Sequence, residues 1–497
     1  MVSIVGQMLR SAVSSFASAL SRLGIRKGDV VLIFAPNSVL FPVSFLSIIS
    51  LGAIATTVNP LYTVGELKKQ ALDSGAKLVL TVPDLVPKVS SLNLPIILLA
   101  ENANKDVSFP TFYDLIKNQS PSEFAPPEIN QDDTVALLYS SGTTGASKGV
   151  VLTHRNFISV AMMAVQDQDT RGEPPNIFLC FLPMFHIFGL SVITFAQLAR
   201  GNTVVVMKRF DMEMTLRSIE RYRVSYLFVV PPVMIALAKQ GKVTKYDLSS
   251  LRRLGSGAAP LGKDVMEEVA GIFPQADIVQ GYGLTESCGI VSLELPRGAS
   301  LRQYGSTGNL VSGVEGKVVS VDTLRSLPPN QLGELCFRGP NMMRGYFNNP
   351  QATELTIDKE GWLHTGDLGY FNEEGQVFIV DRIKELIKYK GFQVAPAELE
   401  SVLTSHPEIL DAAVVPMEDA EAGEVPVAFV VTRNSSLTEV DVQKFVASQV
   451  APFKRLRRVI FENSIPKTAS GKILRRELTN TVKTLRRELS DKVRSKL

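Results

Sequence analysis

Residues 137–156 read LLYSSGTTGASKGVVLTHRN, an apolar run that enters a loop rich in serine, threonine and glycine and leaves it through a second apolar run. Glycines let backbone N–H groups approach an anion, hydroxyls donate hydrogen bonds, and Lys148 supplies a positive charge. The stretch therefore predicts a strand, a loop that cradles phosphate oxygens, and a second strand. It is not a Walker A loop, because Lys148 precedes Gly149 instead of following a glycine. The alternative interpretation is a surface turn.

The length and composition predict a chain of two or more domains and give no support for a nucleic-acid partner. It has 497 residues, 45% of them hydrophobic, which is enough for two or more domains with large cores. The 52 Lys and Arg residues against 49 Asp and Glu leave a net charge of +3, too small for an electrostatic nucleic-acid surface. The three cysteines are far apart, as suits a reducing compartment, and the four histidines show no spacing typical of zinc ligands.

Both ends of the chain raise a question of targeting. Residues 1–28 contain serines and basic residues but no acid, a composition typical of an organellar transit peptide. Apolar residues at helical spacing, ended by Gly24, favour an ordinary helix instead. The last three residues, Ser495-Lys496-Leu497, form the tripeptide that a peroxisomal import receptor reads at a free C-terminus. We therefore expect an N-terminal helix, a peroxisomal location and the import receptor as a partner.

Residues 30–65 carry no charge, so a membrane span has to be considered. Prolines and asparagines divide this stretch into pieces that are better interpreted as a strand over 30–35, a helix over 40–51 and a strand over 53–58. Together they predict one βαβ unit of a covered parallel sheet. A helix over 68–76 and a strand over 77–82 are expected to follow.

The same alternation continues beyond the predicted phosphate loop. Strands are expected at 177–182, 203–207 and 226–230, and helices at 187–199, 214–221 and 267–273. Leu254 and Ile278 lie in short strands that lead into the glycine-containing turns 255–260 and 281–286. Repeated strand–turn–helix units predict a doubly wound sheet, with ligands bound where loops leave the strand ends.

The pattern changes after Gly298, where short strands alternate with glycine and proline turns. Strands at 317–321, 333–338, 370–371 and 376–380 predict a small β subdomain. The charged segment 381–391 then leads into a final α+β part.

These motifs, in this order, resemble the adenylate-forming superfamily of acyl-CoA synthetases, luciferases and peptide-synthetase adenylation domains, and most resemble the plant 4-coumarate–CoA ligase-like proteins of the peroxisome. The matching segments cover nearly the whole chain: 140–149, 255–260, 280–286, 333–339, 362–369, 381–391 and 466–476. The resemblance implies an α/β fold in which residues 1–383 form a large domain of doubly wound sheets with a small β subdomain. Residues 384–497 would form a small mobile α+β domain. The chain reaches 23–25 earlier than such proteins do, so we expect the family's first few dozen residues to be absent.

The resemblance also implies a reaction that uses ATP, Mg²⁺ and CoA. A carboxylate would attack the α-phosphate to give acyl-AMP and pyrophosphate, and the CoA thiol would then displace AMP. Joining two anions requires positive charge at the site. The implied catalytic residues are Lys472, which would bridge the carboxylate and the α-phosphate, His186 beside the carboxylate, Thr285 at the α-phosphate, and Glu286, which would bind the metal.

The remaining implied site residues bind the nucleotide or CoA. Those at the β- and γ-phosphates are Ser140, Ser141, Gly142, Thr143, Thr144, Gly145 and Lys148. Those around the adenine, the ribose and the adenylate are Ala258, Gln280, Gly281, Tyr282, Thr285, Asp367 and Arg382. Those around CoA are Lys388, Lys390, Gly391 and Arg209, and Lys384 would be the pivot between the two domains. Outside these motifs, the same residue types would be interpreted as a core histidine, a helix-terminal acid and surface lysines.

The acyl substrate is indicated by few residues. Phe188 lies where hydroxycinnamate ligases tend to have tyrosine, so the pocket loses a polar partner for a phenol. With Val192, Met234 and Val291 it favours a fatty acid or a jasmonate precursor as substrate. The alternatives are a 4-coumarate–CoA ligase acting on hydroxycinnamic acids, a luciferase-like oxygenase, and a non-catalytic nucleotide-binding relative.

Overall fold

The structure is a computed structural model that describes residues 6–100, 109–117, 124–141, 147–239, 243, 245–294, 303–390, 392–419, 421–433, 437–468 and 471–494. Its helices are α1 Gly6–Arg22, α2 Leu40–Ser50, α3 Val64–Ser74, α4 Val86–Val89, α5 Phe112–Ile116, α6 His154–Thr170, α7 Ala196–Arg200, α8 Met212–Tyr222, α9 Pro231–Lys239, α10 Lys263–Ile272, α11 Pro350–Thr356, α12 Pro396–Ser405, α13 Glu439–Ala447 and α14 Arg475–Arg494. Within the described ranges, none of these helices combines the length and the apolar character that crossing a membrane requires.

The strands of the first half are β1 Val30–Phe34, β2 Ile54–Thr57, β3 Ala76–Thr81, β4 Ile96–Leu98, β5 Thr134–Ser141, β6 Ser147–Thr153, β7 Ile177–Cys180, β8 Thr203–Val206, β9 Tyr226–Val229, β10 Arg253–Ser256, β11 Asp277–Tyr282 and β12 Ser292–Leu293. Those of the second half are β13 Asn309–Leu310, β14 Glu315–Val319, β15 Ser326–Leu327, β16 Gly333–Arg338, β17 Gly345–Tyr346, β18 Leu363–Phe371, β19 Val377–Arg382, β20 Ile387–Tyr389, β21 Phe392–Val394, β22 Ile409–Asp419, β23 Gly423–Thr432 and β24 Arg458–Phe461.

The first sheet has the order β17-β6-β5-β2-β1-β3-β4. The uncharged stretch forms β1, α2 and β2, and β1 is buried along its whole length between parallel neighbours, so the predicted βαβ unit is confirmed. The strand after the predicted phosphate loop, β6, runs antiparallel to β5. A short loop can join only antiparallel strands, because a parallel pair needs a long crossover.

The second sheet has the order β13-β12-β11-β10-β9-β7-β8, with parallel pairing from β8 to β11. One element differs from expectation: residues Phe188–Phe195 form a π-helix that continues directly into α7. Side-chain hydroxyls bond to backbone carbonyls in this turn, since Thr194 Oγ1 donates to the Gly189 carbonyl at 2.6 Å and Ser191 Oγ donates to the Ile187 carbonyl at 2.9 Å. Such wide turns are frequent at functional sites.

The predicted β subdomain is an antiparallel sheet of order β15-β14-β16-β18-β19. Strand β18 is longer than the expected pair of residues, because most of the Trp362–Gly369 motif lies within it. The register of β18 and β19 places Asp367 opposite Arg382.

The last sheet has the order β21-β20-β23-β22, with β24 parallel to β23, and two hydrophobic clusters of its own lie against α12, α13 and α14. The charged segment 381–391, which contains the expected pivot Lys384, is largely regular within its described residues: it includes the end of β19, a 3₁₀ turn at Ile383–Glu385, and β20. The main core spans the two large sheets. Helix α1 buries Phe16 and Leu20 there, which confirms the helical interpretation of the N-terminal stretch.

Candidate active site

A cavity of about 540 Å³ lies at the carboxyl ends of strands from both large sheets. Loops in this position bind ligands in doubly wound folds, because every strand directs its following loop to the same edge. Of the site residues predicted from the sequence, those lining this cavity are Ser140, Lys148, His186, Ala258, Gly281, Tyr282, Thr285, Glu286, Arg382 and Lys472. The structure therefore brings together, around one cavity, most of the predicted site residues that it describes. Gly142, Thr143, Thr144, Gly145 and Gly391 lie outside the described residues, as does Ser495-Lys496-Leu497.

Glu286 is held by two hydroxyl groups at one end of the cavity. The hydroxyls of Ser140 and Tyr346 each donate to Glu286 Oε1 at 3.0 Å. Burial raises the pKa of Tyr346, so its hydroxyl stays protonated and able to donate. Lys148 Nζ lies 4.9 Å from the centre of the Tyr346 ring, in reach of a cation–π contact. Tyr346 was not predicted, because β17 and β6 bring it to the site from a distant part of the sequence.

Asp367 is buried between two residues that were also predicted. Tyr282 Oη donates to Asp367 Oδ2 at 2.6 Å, and Arg382 Nε forms an ion pair with Oδ1 at 2.9 Å. Burial raises the pKa of the Asp367 carboxyl, and the Arg382 guanidinium opposes this. The hydrogen bond between Tyr282 and Asp367 was not predicted, although each residue was. The Asp367 carboxylate can accept hydrogen bonds and the Arg382 guanidinium can donate them, a combination suited to two adjacent hydroxyl groups.

The loop after β10 approaches the cavity through its backbone. Ala258 has a φ of +72°, which a residue with a side chain rarely adopts. A Cβ atom on Gly257 would lie 3.3 Å from the Phe188 ring, so the loop packs directly on that ring. Gln280 is buried and accepts from the Leu261 N–H at 2.9 Å, and it lines a smaller adjoining cavity. Its side chain therefore positions this loop.

His186 lines the cavity as a neutral imidazole. Burial, and then the nearby Lys472, lower its pKa to about 4. Its Nδ1 accepts from the Phe188 N–H at 3.3 Å, so Nε2 carries the proton. His186 can thus donate a hydrogen bond to a substrate oxygen.

Lys472 enters the cavity from the last domain, the part of the chain that forms the sheet β21-β20-β23-β22 and the helices packed on it. Burial, and then the Arg382 charge, lower its pKa to about 8. Its loop is closed by the Thr468 N–H, which donates to the Lys472 carbonyl at 2.8 Å, and by the Lys472 N–H, which donates to Thr468 Oγ1 at 3.1 Å. A Cβ atom on Gly471 would lie 2.9 Å from Val230, so the loop sits against the end of β9.

Buried ion pairs anchor the chain that follows this loop. Arg475 Nε donates to Glu385 Oε2 at 2.8 Å, and Arg475 Nη2 donates to Glu400 Oε2 at 2.9 Å. These carboxylates raise the pKa of Arg475 against the effect of its burial. The Lys472 loop is therefore tied both to α12 and to the turn after β19.

The residues predicted around CoA are not brought to this cavity. Arg209, Lys388 and Lys390 are exposed and line neither cavity. Lys384 lies in the turn Ile383–Glu385, outside both cavities, and partial burial lowers its pKa. In this arrangement the last domain presents Lys472 to the cavity and keeps these basic residues outside it.

One cluster of possible metal ligands was missed. One atom each from Glu334, Cys336 and His364 lie within 4.8 Å of one another. His364 Nδ1 is 2.8 Å from Glu334 Oε2 and 3.4 Å from Cys336 Sγ. The pairing of β16 with β18 brings these residues together across a wide sequence gap, so spacing along the chain did not reveal them. Glu334 Oε1 also accepts from the Gly366 N–H at 3.0 Å. Glu334 therefore fixes the backbone of β18 at the residue before Asp367.

Two protein families match the chain. The AMP-binding enzyme family matches residues 6–347, and the AMP-binding enzyme C-terminal domain matches residues 398–472. The chain is 48% identical over 482 residues to a probable CoA ligase of Humulus lupulus, covering 94% of this chain and 86% of that protein. It is also 48% identical over 480 residues to the peroxisomal OPC-8:0-CoA ligase 1 of Arabidopsis thaliana, with the same coverage.

Solved structures agree with this assignment. ATP-bound MatB from Rhodopseudomonas palustris superposes with a TM-score of 0.88 at 28% identity, covering 97% of this chain and 94% of that chain. The o-succinylbenzoate CoA synthetase of Bacillus subtilis, in complex with an acyl-adenylate, superposes with a TM-score of 0.81 at 29% identity, covering 96% and 93%. The expected fold class is confirmed, and the chain belongs to the AMP-binding enzyme family, within its ATP-dependent acid–CoA ligases.

Proposed function

We propose that this protein activates a fatty acid or a jasmonate-precursor acid as its acyl-AMP and transfers the acyl group to CoA. The observation that carries the choice of acid is the environment of Phe188. Its ring lines the cavity, packs on Gly257 and lies 6.3 Å from the ring of Phe228 in an edge-on arrangement. Val192 lines the same cavity, whereas Met234 and Val291, also predicted there, are buried in the core beside it. An apolar acyl chain suits this wall better than a phenol.

The site residues support the first half-reaction through charge and position. The Lys472 ammonium would offset the negative charge that develops as a carboxylate oxygen bonds to the α-phosphorus. The neutral His186 would donate from Nε2 to a carboxylate oxygen and hold it in line. The pair formed by Asp367 and Arg382 would hold the ribose hydroxyls, with Tyr282 fixing the carboxylate.

A magnesium ion fits the chemistry of Glu286. Both donors to this carboxylate bond to Oε1, and no described residue donates to Oε2, which keeps lone pairs for a hard cation. Thr285 and the Ser140 hydroxyl would complete the surroundings, and the ion would neutralise phosphate charge.

The acid can be identified by measuring pyrophosphate release with fatty, jasmonate-precursor and hydroxycinnamic acids, with and without CoA. We expect the highest kcat/KM with the first two classes. Several relatives are named 4-coumarate–CoA ligases, including one of Arabidopsis thaliana at 48% identity, so this is the second candidate. A higher kcat/KM with 4-coumarate than with the other acids would contradict the proposal and indicate a 4-coumarate–CoA ligase. Light emission without CoA consumption would indicate the luciferase-like alternative, and binding of ATP without turnover the non-catalytic one.

We also propose a peroxisomal location, which rests on Ser495-Lys496-Leu497 and on the relative named as peroxisomal. An N-terminally tagged protein should enter peroxisomes, and deletion of Leu497 should leave it in the cytosol. Mitochondrial import of the protein tagged at its C-terminus instead would favour the transit-peptide interpretation of residues 1–28.

A further inference from the structure

Helix α9 of the large domain meets the last domain near both of its ends. Val230, the residue before its start, lies against Gly471 in the loop that carries Lys472. Lys239 is its last residue. At the rise of an α-helix the two ends are about 12 Å apart. Helix α9 also packs on β22 of the last domain, so the two domains are in contact along this helix.

The ammonium group of Lys239 lies at the carboxyl end of α12. Its Nζ donates to the Thr404 carbonyl at 3.0 Å, to the His406 carbonyl at 3.4 Å, and to the Ile409 carbonyl. The last carbonyls of an α-helix have no partner within the helix, and the helix dipole makes this end negative. Lys239 therefore supplies hydrogen-bond donors and a compensating charge to a helix of the other domain.

A cation of the last domain contacts the end of α9 in turn. Arg433 Nη2 donates to the carbonyl of Lys239, the last residue of α9, at 3.3 Å. Each of the two helices thus ends at a cation that the other domain supplies. The Lys239 side chain is half-buried and Arg433 is exposed, so we expect the larger contribution from Lys239.

The Lys239 contacts depend on the orientation of the last domain. The three carbonyls that accept from Lys239 belong to that domain, as Lys472 does. A rotation that removed Lys472 from the cavity and brought Lys388 and Lys390 towards it would separate these carbonyls from Lys239. The hydrogen bonds of Lys239 therefore stabilise the orientation in which Lys472 reaches the cavity over the alternative orientation.

We propose that Lys239 is a positioning residue for acyl-AMP formation, because it caps the carboxyl end of α12 and so holds the last domain with Lys472 in the cavity. The proposal rests on the proposed acid–CoA ligase function and deepens it. Lys239 lines neither of the two cavities described above, so it acts through the position of Lys472 and not by contact with a substrate.

The test compares the two half-reactions in the full-length wild type and in Lys239→Met, which keeps most of the apolar stem but removes the charge and the donors. Pyrophosphate release follows acyl-AMP formation, and thioester absorbance follows the conversion of supplied acyl-AMP with CoA. We expect kcat/KM for pyrophosphate release to fall about tenfold, equivalent to about 1.4 kcal/mol. Thioester formation should stay at the wild-type rate or rise, since it requires the other orientation.

The matched control is Lys88→Met. Lys88 is also half-buried, and its Nζ also donates to backbone carbonyls, those of Pro60 at 3.1 Å and Tyr62 at 2.8 Å, but these lie in its own domain. This control should keep the wild-type ratio of the two half-reactions. Arg433→Met, which removes one exposed hydrogen bond, should change the ratio in the same direction as Lys239→Met, but less.

A distance between the two domains measures their orientation independently of activity. The three cysteines of the chain are buried, so spin labels can be directed to Met214→Cys on α8 and Val440→Cys on α13, both at exposed positions. Double electron–electron resonance should show a larger population at a second distance in Lys239→Met than in the wild type. If Lys239→Met does not fold, Lys239→Arg, which keeps the charge without the compact ammonium, should show a smaller change in the ratio and in the distances.

Equal loss of both half-reactions in a folded Lys239→Met would overturn the proposal, because a residue needed only for stability predicts that result. An unchanged ratio, an unchanged distance distribution, or the same change of ratio in Lys88→Met would overturn it as well. The acid used is the one with the highest kcat/KM for the wild type, so these outcomes do not depend on the choice of acid. Absence of pyrophosphate release by the wild type with every acid would instead overturn the proposed function.

Discussion

At the scale of single residues, burial sets the protonation of the two groups that would act on the carboxylate. His186, with a pKa of about 4, is neutral at pH 7, and Lys472, with a pKa of about 8, is mostly charged. The cavity therefore holds one neutral donor and one cation instead of two repelling cations. This division of roles is typical of sites in which neighbouring groups have their pKa values moved by their surroundings.

The pKa of Lys472 predicts an alkaline limit for adenylation. Because the charged form is lost as the pH rises through about 8, kcat/KM for pyrophosphate release should fall above that pH. In Lys472→Arg the guanidinium stays charged, so activity should be lower throughout but without this alkaline decline. Pyrophosphate release across the pH range would measure both. An unchanged alkaline decline in Lys472→Arg would assign it to another group.

Phe188→Tyr tests the apolar wall. The ring edge of Phe188 faces Gly257, so a hydroxyl there would be crowded and lack a partner. We expect kcat/KM for fatty acids to fall by an amount equivalent to about 1–3 kcal/mol, and to fall less for 4-coumarate. The measured quantity is the ratio of kcat/KM for a fatty acid to kcat/KM for 4-coumarate. An unchanged ratio would show that this wall does not select the acyl group.

At the scale of elements, short connections place the reacting groups. The π-helix after β7 directs Phe188 towards the β10 loop, and the loop 466–474 carries Lys472 to the end of β9. The position of Lys472 depends on the close approach of its loop to Val230. Glycine is required at Gly471, because φ there is +83° and a Cβ atom would meet Val230.

Gly471→Ala should therefore slow adenylation. The added Cβ would meet Val230 at 2.9 Å and would also disfavour the positive φ. We expect a loss of about tenfold to a hundredfold in acyl-AMP formation, with conversion of supplied acyl-AMP to acyl-CoA largely kept. The control is Gly375→Ala, which has a similar φ of +74° but no neighbour nearer than 3.7 Å. Equal losses in both variants would point to reduced stability instead of a displaced Lys472.

At the scale of the whole molecule, contacts with α9 hold the last domain in its present orientation. Lys239 Nζ, at the end of α9, donates to the Thr404 carbonyl of α12 at 3.0 Å, and Arg433 Nη2 donates to the Lys239 carbonyl at 3.3 Å. The basic residues predicted around CoA lie outside the cavity in this orientation. We propose that a rotation about Lys384 brings them to the site for the second half-reaction.

Lys384→Pro tests this rotation. Lys384 lies in a 3₁₀ turn, whose φ of about −60° resembles the fixed φ of proline, so the present orientation should be retained and its change opposed. We expect acyl-AMP formation to persist and thioester formation to be mostly lost, as followed by pyrophosphate release and thioester absorbance. Lys472→Ala should show the opposite pattern.

Lys384→Ala separates the fixed backbone from the missing side chain. If it loses thioester formation as fully as Lys384→Pro does, the side chain is responsible and the backbone argument is wrong. Equal loss of both half-reactions in Lys384→Pro and Lys472→Ala would remove the support for alternating domain orientations.

The sequence by itself determined the alternation of strands and helices and the βαβ unit at β1, α2 and β2, because periodicity and glycine turns are properties of neighbouring residues. The prediction of Lys472, Glu286 and Asp367 as site residues came from the resemblance of the sequence motifs to those of a known family. Only the tertiary structure decided that Tyr346 joins Ser140 on Glu286 and that Tyr282 bonds to Asp367. Sheet register and domain packing set these contacts between residues far apart in the chain, and no local pattern encodes which of them will meet.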